Sequence, residues 1–438
     1  MSRNDIPASC CRIGAALLAT TALTVAAPVM AQDEANSEVI IVTANKRAQD
    51  LQDVPVAITA LGTEKLAELQ VSELQDVVKF LPSVTIQSVA PGFSQVYFRG
   101  VASGENANHS ASLPTVGTYL DEMPITTIQG ALDIHAYDLA RVEALAGPQG
   151  TLYGASSMAG TIKMVSNAPE YGATYGAMDL ELNNIAHGGF GGTAEGFVNM
   201  GIADNAALRV VGWYRKDAGY IDNILGSRTY PTSGITQTNA DLVEDDYNDV
   251  DTYGARLALG IELNDSWTIR PTVMGQVQEA NGSFAQERST AVVRDLQTVQ
   301  YNPEYSKDKW LQAALTIEGK IGNWDLVATG GGLWRKDVVT SDYSDYAYFY
   351  DALYGYGAYF YDNNEVLVSP NQYIEGGDKY RRMFGELRIA SPQENPLRVI
   401  AGVFGQRQRH EITQNYIIDD LIDMFVVTGT ESDVWLTK

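Results

Sequence analysis

TYGARLALGIEL, residues 252–263, reads as a strand with two unlike faces. Tyr253, Ala255, Leu257, Leu259, Ile261 and Leu263 point one way. Thr252, Gly254, Arg256, Ala258, Gly260 and Glu262 point the other, with the period of two that an extended backbone imposes. Asn264-Asp265-Ser266 turns the chain, and Trp267, Ile269, Pro271 and Val273 then alternate with Thr268, Arg270, Thr272 and Met274. The unit recurs on both sides of this hairpin. Ala194–Ile202 and Ala207–Arg215 flank Ala203-Asp204-Asn205. Leu311–Gly319 and Trp324–Leu333 flank 320–323, and Met383–Ala390 and Leu397–Phe404 flank 391–396. Between the hairpins run long polar connections at about 217–250, 279–308 and 336–378. Tight turns alternating with long loops, on strands with one apolar and one polar face, predict a transmembrane β-barrel rather than a soluble sandwich.

With Tyr175–Asn183 as the first, the sequence predicts nine strands. An odd count with no return strand cannot close a bacterial barrel. Residues 433–438 begin another strand-like run, so the chain is expected to be part of a longer one.

The 438 residues carry 54 Asp and Glu against 30 Lys and Arg, a net charge of −24, which repels phosphate backbones and argues against nucleic-acid binding. Both cysteines, Cys10 and Cys11, lie in the first dozen residues, so the rest of the chain has neither disulfide nor thiolate site. Arg3 and Arg12, then the uncharged run 14–27, then Val29-Met30-Ala31, read as a secretory signal peptide over 1–31. A short membrane anchor is the alternative, but the run falls well below the ~20 residues a spanning helix needs. No later apolar run is long enough to cross a membrane as a helix.

Residues 32–46 are expected to form a flexible lead. They contain the β-branched run Glu38-Val39-Ile40-Ile41-Val42-Thr43-Ala44, either a core strand or a strand held out for a partner. Residues 47–168 predict a small α+β domain, and 169–438 the barrel strands. Within the small domain the sequence predicts a strand over Val54–Ala60 and a helix capped by Thr63. It also predicts a second helix opened by Ser72 and Gln75 and a further helix around Leu132–Asp138.

Several segments of this domain resemble, in order and spacing, the plug of the TonB-dependent outer-membrane receptors. Phe98-Arg99-Gly100-Val101 is similar to that family's FRG/IRG signature, and Tyr119-Leu120-Asp121-Glu122-Met123-Pro124 to its YVDGVP-type turn. Arg141-Val142-Glu143 followed by Gly147-Pro148-Gln149-Gly150-Thr151-Leu152-Tyr153-Gly154 is close to RVEVLRGPQGTLYG, and Ala159–Lys163 parallels GGAINI. Residues 38–44 resemble the TonB box in its usual place. One departure is Ala146, where the family usually has Arg. It leaves Arg99 and Arg141 as the cations of a plug–barrel lock, with Glu143, Gly147 and Gly150 completing the motif.

The resemblance implies a plug inside a barrel of about 22 strands in the outer membrane of a Gram-negative bacterium. It also implies active import driven by TonB with ExbB–ExbD, which would pair with residues 38–44 by strand addition. The partners so implied are TonB, outer-membrane lipid and a small-molecule substrate. That substrate is a ferric siderophore or similar chelate by the family's commonest use, with oligosaccharide, cobalamin and haem as alternatives. No catalytic constellation, cofactor site or metal-ligand spacing among His109, His135, His187 and His410 stands out. A passive porin or an exported hydrolase is the rival reading, and neither accounts for the plug motifs. Only about six residues separate the cleavage site from the box, which leaves no room there for a periplasmic signalling domain.

Two places are candidates for the substrate. Asn106, Asn108, His109 and Ser110 lie in a loop between two plug strands, either as a hydrogen-bonding tip or as solvated loop. Residues 343–361 hold eight of the 24 tyrosines, Tyr346, Tyr348 and Tyr350 among them. Such a cluster suits flat ligands, or extends an interfacial aromatic girdle into a loop.

Overall fold

The computed structural model describes residues 40–88, 90–102, 113–128, 130–287 and 293–421. Asn106, Asn108, His109 and Ser110, and Glu38 and Val39 of the box, lie outside the described residues.

The first part of the chain forms an α+β plug. Strands β1 (Ile41–Val42) and β2 (Gln49–Asp50) pair as a hairpin, followed by β3 (Ile58–Gly62), α1 (Thr63–Glu68) and α2 (Leu74–Lys79). Then come β4 (Val84–Ser88), β5 (Ser94–Phe98), β6 (Val116–Leu120), β7 (Met123–Pro124), β8 (Leu139–Ala146), the short turn α3 (Gly150–Tyr153) and β9 (Gly160–Ser166). Five of these make one mixed sheet in the order β3-β8-β9-β6-β7, with β6 and β9 parallel. Leu74, Val77 and Val78 of α2 recur at helical spacing and are buried with Leu81, Val142, Ile162 and Met164 in the core.

Four local expectations need correction. The first strand starts at Ile58, not Val54. Thr63 does not cap α1: Gly62 holds the N-cap position, and the Thr63 hydroxyl donates to the Leu139 and Ala140 carbonyls instead. Ser72 does bond into the first turn of α2, but its partner is the Asp76 carboxylate rather than Gln75. Residues 132–138 are not helical. This segment is buried as irregular chain because groups far along the sequence take its backbone bonds. Gln276 donates to the Asp133 carbonyl and accepts from the His135 amide, and the Ala136 amide donates to the Ser72 carbonyl.

From residue 175 a nine-stranded antiparallel meander begins. Its strands are β10 (Tyr175–Asn184), β11 (Phe190–Ala203), β12 (Ala206–Asp217), β13 (Val250–Asn264), β14 (Trp267–Asn281), β15 (Tyr305–Ile321), β16 (Trp324–Asp342), β17 (Gln372–Ala390) and β18 (Ile400–Ile418). The expected alternation of short and long connections is present. Short turns join β11–β12, β13–β14, β15–β16 and β17–β18, and long segments join the other end from β12 onward. The 343–361 region is not plain loop, because α4 (Ser344–Tyr354) forms within it and ends on Gly355 in the left-handed conformation at φ 70°. No helix among the described residues is long and apolar enough to cross a membrane.

The sheet curves round the plug. Inward positions of alternating strands are buried against it: Val211, Trp213, Met274, Trp310, Leu333 and Tyr380 join the plug's own core cluster. Their outward neighbours Tyr214, Val273, Leu311, Trp334 and Met383 are exposed.

Candidate functional site

Three places along the plug and its strands bring functional groups together. The first is the box segment. Where a flexible lead was expected, residues 40–46 are docked. Val42 and Ala44 are buried, while Ile41 remains 44% exposed. The Thr43 amide and hydroxyl both donate to Glu143 Oε1, at 2.9 and 3.0 Å. Arg141 Nε donates to the same oxygen at 2.7 Å. The Tyr153 hydroxyl donates to the Thr43 and Ala44 carbonyls, and Lys163 Nζ reaches Thr43 Oγ1 at 2.9 Å. The plug therefore satisfies the backbone of residues 43–44, and an extended run with a free edge need not stay free.

The second place is the seam between plug and strands. Arg141 pairs with Glu143 and reaches Thr43 of the box, and Arg99 holds φ 50° while its amide donates to the Ser83 carbonyl. Gly147, at φ 97°, and Gly150 shape the loop into α3. Among the described residues, six arginines of the strands reach plug oxygens across the seam: Arg209 and Arg256 on Asp138, Arg215 on Ser72, Arg335 on Thr127, Arg382 on the Pro124 carbonyl and Arg388 on Glu122. Asp138 is the most enclosed of these contacts. Its carboxylate lies 2.7 Å from Arg209 Nε and also meets Arg256 Nη2, with Asp138 and Arg256 side chains each 2% exposed. Sequence reasoning placed Arg256 on the inward face but attached no role to it. The available signal was Arg256 standing on the polar face among the small or neutral Thr252, Gly254, Ala258 and Gly260.

Glu122 joins the seam to the box. It takes Lys163 Nζ at 2.7 Å and Arg388 Nη1 at 2.6 Å, with Lys46 at 3.7 Å. Burial alone would push its carboxyl up, but Lys163, Arg388 and Lys46 hold it well below its ordinary value of 4.5. A depressed carboxyl contributes stability that is present above pH 4.5 and lost as pH falls through the lowered pKa. Glu122→Gln is therefore expected to destabilise the plug at neutral pH and to flatten the loss of protease protection that the wild type should show on acidification below pH 4.5. Equal acid sensitivity of the two proteins would count against this role.

The third place is α4, at the long-loop end. Tyr346, Tyr350 and Tyr354 follow one another at i, i+4 and pack as tilted rings, with centroids 4.4 and 5.4 Å apart, and Tyr346 Oη lies 2.6 Å from Tyr350 Oη. Tyr343 and Tyr356 extend the row. Tyr348 is not with them. It faces Tyr230 and the Arg228 guanidinium on the neighbouring loop. Asp351, fully buried, fastens the helix by accepting from Thr232 and from the Gly357 amide. The result is a rigid aromatic face, with Tyr346, Phe349 and Tyr354 exposed.

Residues 50–161 match the family model described as the TonB-dependent receptor plug domain. The vitamin B12 transporter BtuB of Photobacterium profundum is 22% identical over 364 residues, covering 73% of this chain and 53% of that protein. The pesticin receptor of Yersinia pestis is 31% identical over 144 residues, 32% of this chain and 20% of that one. The crystal structure of the ferric yersiniabactin uptake receptor from Yersinia pestis superposes with a TM-score of 0.63 at 17% identity, covering 84% of this chain and 50% of that one. The chain thus spans about half the length of these relatives, or less.

Proposed function

From a chain that belongs to the TonB-dependent outer-membrane receptors, carrying their plug and a nine-stranded part of their barrel, we propose active import of a scarce small molecule across the outer membrane. TonB, energised by ExbB–ExbD, would draw on residues 38–44. The observation that supports this reading is the plug packed against the inward face of the nine strands, which in a closed barrel would block passive flow and make entry depend on work on the plug. The docked box lies beside the short turn of β17–β18, where Gln393 donates to the Ala48 carbonyl, and α4 sits at the opposite end. That polarity suits a box on the periplasmic side and a binding face outside.

A ferric chelate of the siderophore type is the favoured substrate. The tyrosine row of α4 supports it, since adjoining phenols offer apolar ring area with hydroxyls to a ligand of that type. A corrinoid is the second reading, favoured by the relative named as a vitamin B12 transporter.

Two measurements test the proposal. The full-length protein is expected to fractionate with outer membranes as a heat-modifiable barrel; recovery as a soluble periplasmic protein would sink the reading. A panel of ferric siderophores and cobalamin is then titrated against wild type and a Tyr346→Ala/Tyr350→Ala variant. The variant is expected to bind the preferred ferric chelate about tenfold more weakly, the usual scale for losing aromatic anchors. Binding of cobalamin alone would favour the second reading, and unchanged affinity for every ligand would remove α4 from the site.

A further inference from the structure

The long connections of the meander are more one-sided in charge than the chain as a whole. Residues 218–249, 282–304 and 343–371 hold 13 Asp and Glu against three Lys and Arg, and the stretch 343–371 that carries α4 has no Lys or Arg at all. One of the three cations, Arg228, is already engaged. It pairs with Asp345 and lies over the rings of Tyr301 and Tyr348, 4.7 and 5.2 Å from their centroids. Tyr348 thus shows what a phenol of α4 does with a cation in reach. Among the described residues no Lys or Arg lies over Tyr346, Tyr350, Tyr354 or Tyr356, whose ring faces are left for a cation from outside.

The inward wall below α4 has the same sign. Tyr343, at the start of the row, packs on Tyr416 of β18, which shares its face with the inward His410. Farther down, Asp308, Asp337 and Asp378 stand directly opposite one another on β15, β16 and β17, where like charges repel. Arg335 meets Asp308 at 2.8 Å and His410 meets Asp378 at 2.9 Å. Asp337 is 4% exposed, and its Oδ1 has no hydrogen-bond partner among the described residues. The next inward positions toward the mouth, Ser306, Val339, Gly376 and Gln414, add no cation. A ligand arriving at the long-loop end therefore meets open aromatic faces above a negative wall. Rings hold a cation more strongly as water is excluded, and a wall of one sign concentrates the opposite charge and repels its own. Ferric chelates divide along this line. A tris-catecholate complex is an anion at neutral pH, whereas a tris-hydroxamate complex is neutral and takes its charge from its side arms.

We propose that the tyrosine face of α4 takes a positively charged chelate, a ferric hydroxamate bearing a protonated amine, and discriminates against anionic catecholates. The inference rests on the import reading of the preceding subsection. Full-length protein in detergent is titrated with three probes. Ferrioxamine B has a free, protonated amine, its N-acetylated form keeps the chelate and loses the charge, and ferric enterobactin is an anion. Wild type is expected to bind ferrioxamine B about tenfold more tightly than the N-acetylated form, the scale of one desolvated cation–ring contact. The gap should narrow at about 1 M salt, which screens the wall. Ferric enterobactin should bind more weakly than either hydroxamate. A Tyr346→Ala/Tyr350→Ala variant should bind the two hydroxamates alike, and a Tyr346→Phe/Tyr350→Phe variant, which keeps the rings, should keep the preference. Heat-modifiability of each variant establishes that it is folded. Equal affinity of wild type for the two hydroxamates, binding of neither, or tighter binding of ferric enterobactin would overturn the proposal. So would an undiminished preference in the folded alanine variant or its loss in the folded phenylalanine variant. A protein absent from the outer membrane would overturn the import reading, whereas one that imports an anionic chelate in a TonB-dependent manner overturns only this inference.

Discussion

Asp138→Asn is expected to unseat the plug. Asp138 is held at φ 56°, a left-handed conformation that Asn also tolerates, so the substitution removes charge while keeping backbone and volume. What it leaves behind is the larger effect. The Arg209 and Arg256 guanidiniums, 5% and 2% exposed, lose the carboxylate that both face. Breaking a buried ion pair by removing one partner costs roughly 3–5 kcal/mol, because the remaining charge is desolvated and uncompensated. In the full-length protein the variant should admit solutes too large for general porins and expose residues 132–168 to protease. An Asp138→Asn/Arg209→Gln/Arg256→Gln variant should recover much of the protection by removing the stranded charges. A single variant as impermeable and protease-resistant as wild type would show that this contact does not hold the plug.

Ile41→Pro is expected to separate binding from uptake. Ile41 is the outward position of the docked hairpin, and proline there removes a backbone donor and fixes φ within the stretch proposed to pair with TonB. Substrate binding at the outer face should stay within about twofold of wild type, since residues 40–44 lie at the other end of the strands from α4. Uptake should fall to that of a strain lacking TonB. Full uptake by the variant would mean that the pairing segment lies elsewhere or that transport is passive. Loss of binding together with uptake would point to a misfolded plug.

How much of this was legible depends on where each element's hydrogen bonds go. The strands were readable because alternation is local: Tyr253 and Arg256 announce their faces to any neighbour. Strand ends were less so, and β18 extends to Ile418, well past the Phe404 that its turn suggested. Residues 132–138 defeated the reading for a physical reason. Leu132 and Ala136 stand at helical spacing, but Gln276, far along the chain, supplies the bonds that a helix would have made internally. The same distance hid Asp138, whose partners are on β12 and β13. The tyrosine helix was within reach. Tyr346, Tyr350 and Tyr354 are one helical turn apart, a spacing that marks a helix face where the number of aromatic residues alone does not. For the box, composition showed an extended run but not its docking, because Glu143 and Tyr153, which hold it, are known as neighbours only from the fold.

The arginine seam has a consequence for how the plug can leave. Deleting one partner of a buried ion pair is costly, but drawing both partners apart into water is not, because hydration replaces what the pair gave. Six guanidiniums facing plug oxygens thus make a joint that a chemical lesion weakens sharply and that also yields to a pull that lets water follow. An oily joint of the same area would behave the other way, tolerating substitutions and clinging under load. Among the described residues, the patch round Trp213, Met274, Trp310 and Tyr380 is of that kind. A plug so mounted is wetted loose rather than torn out, and the solvent that enters behind it is already the medium through which a cargo would travel.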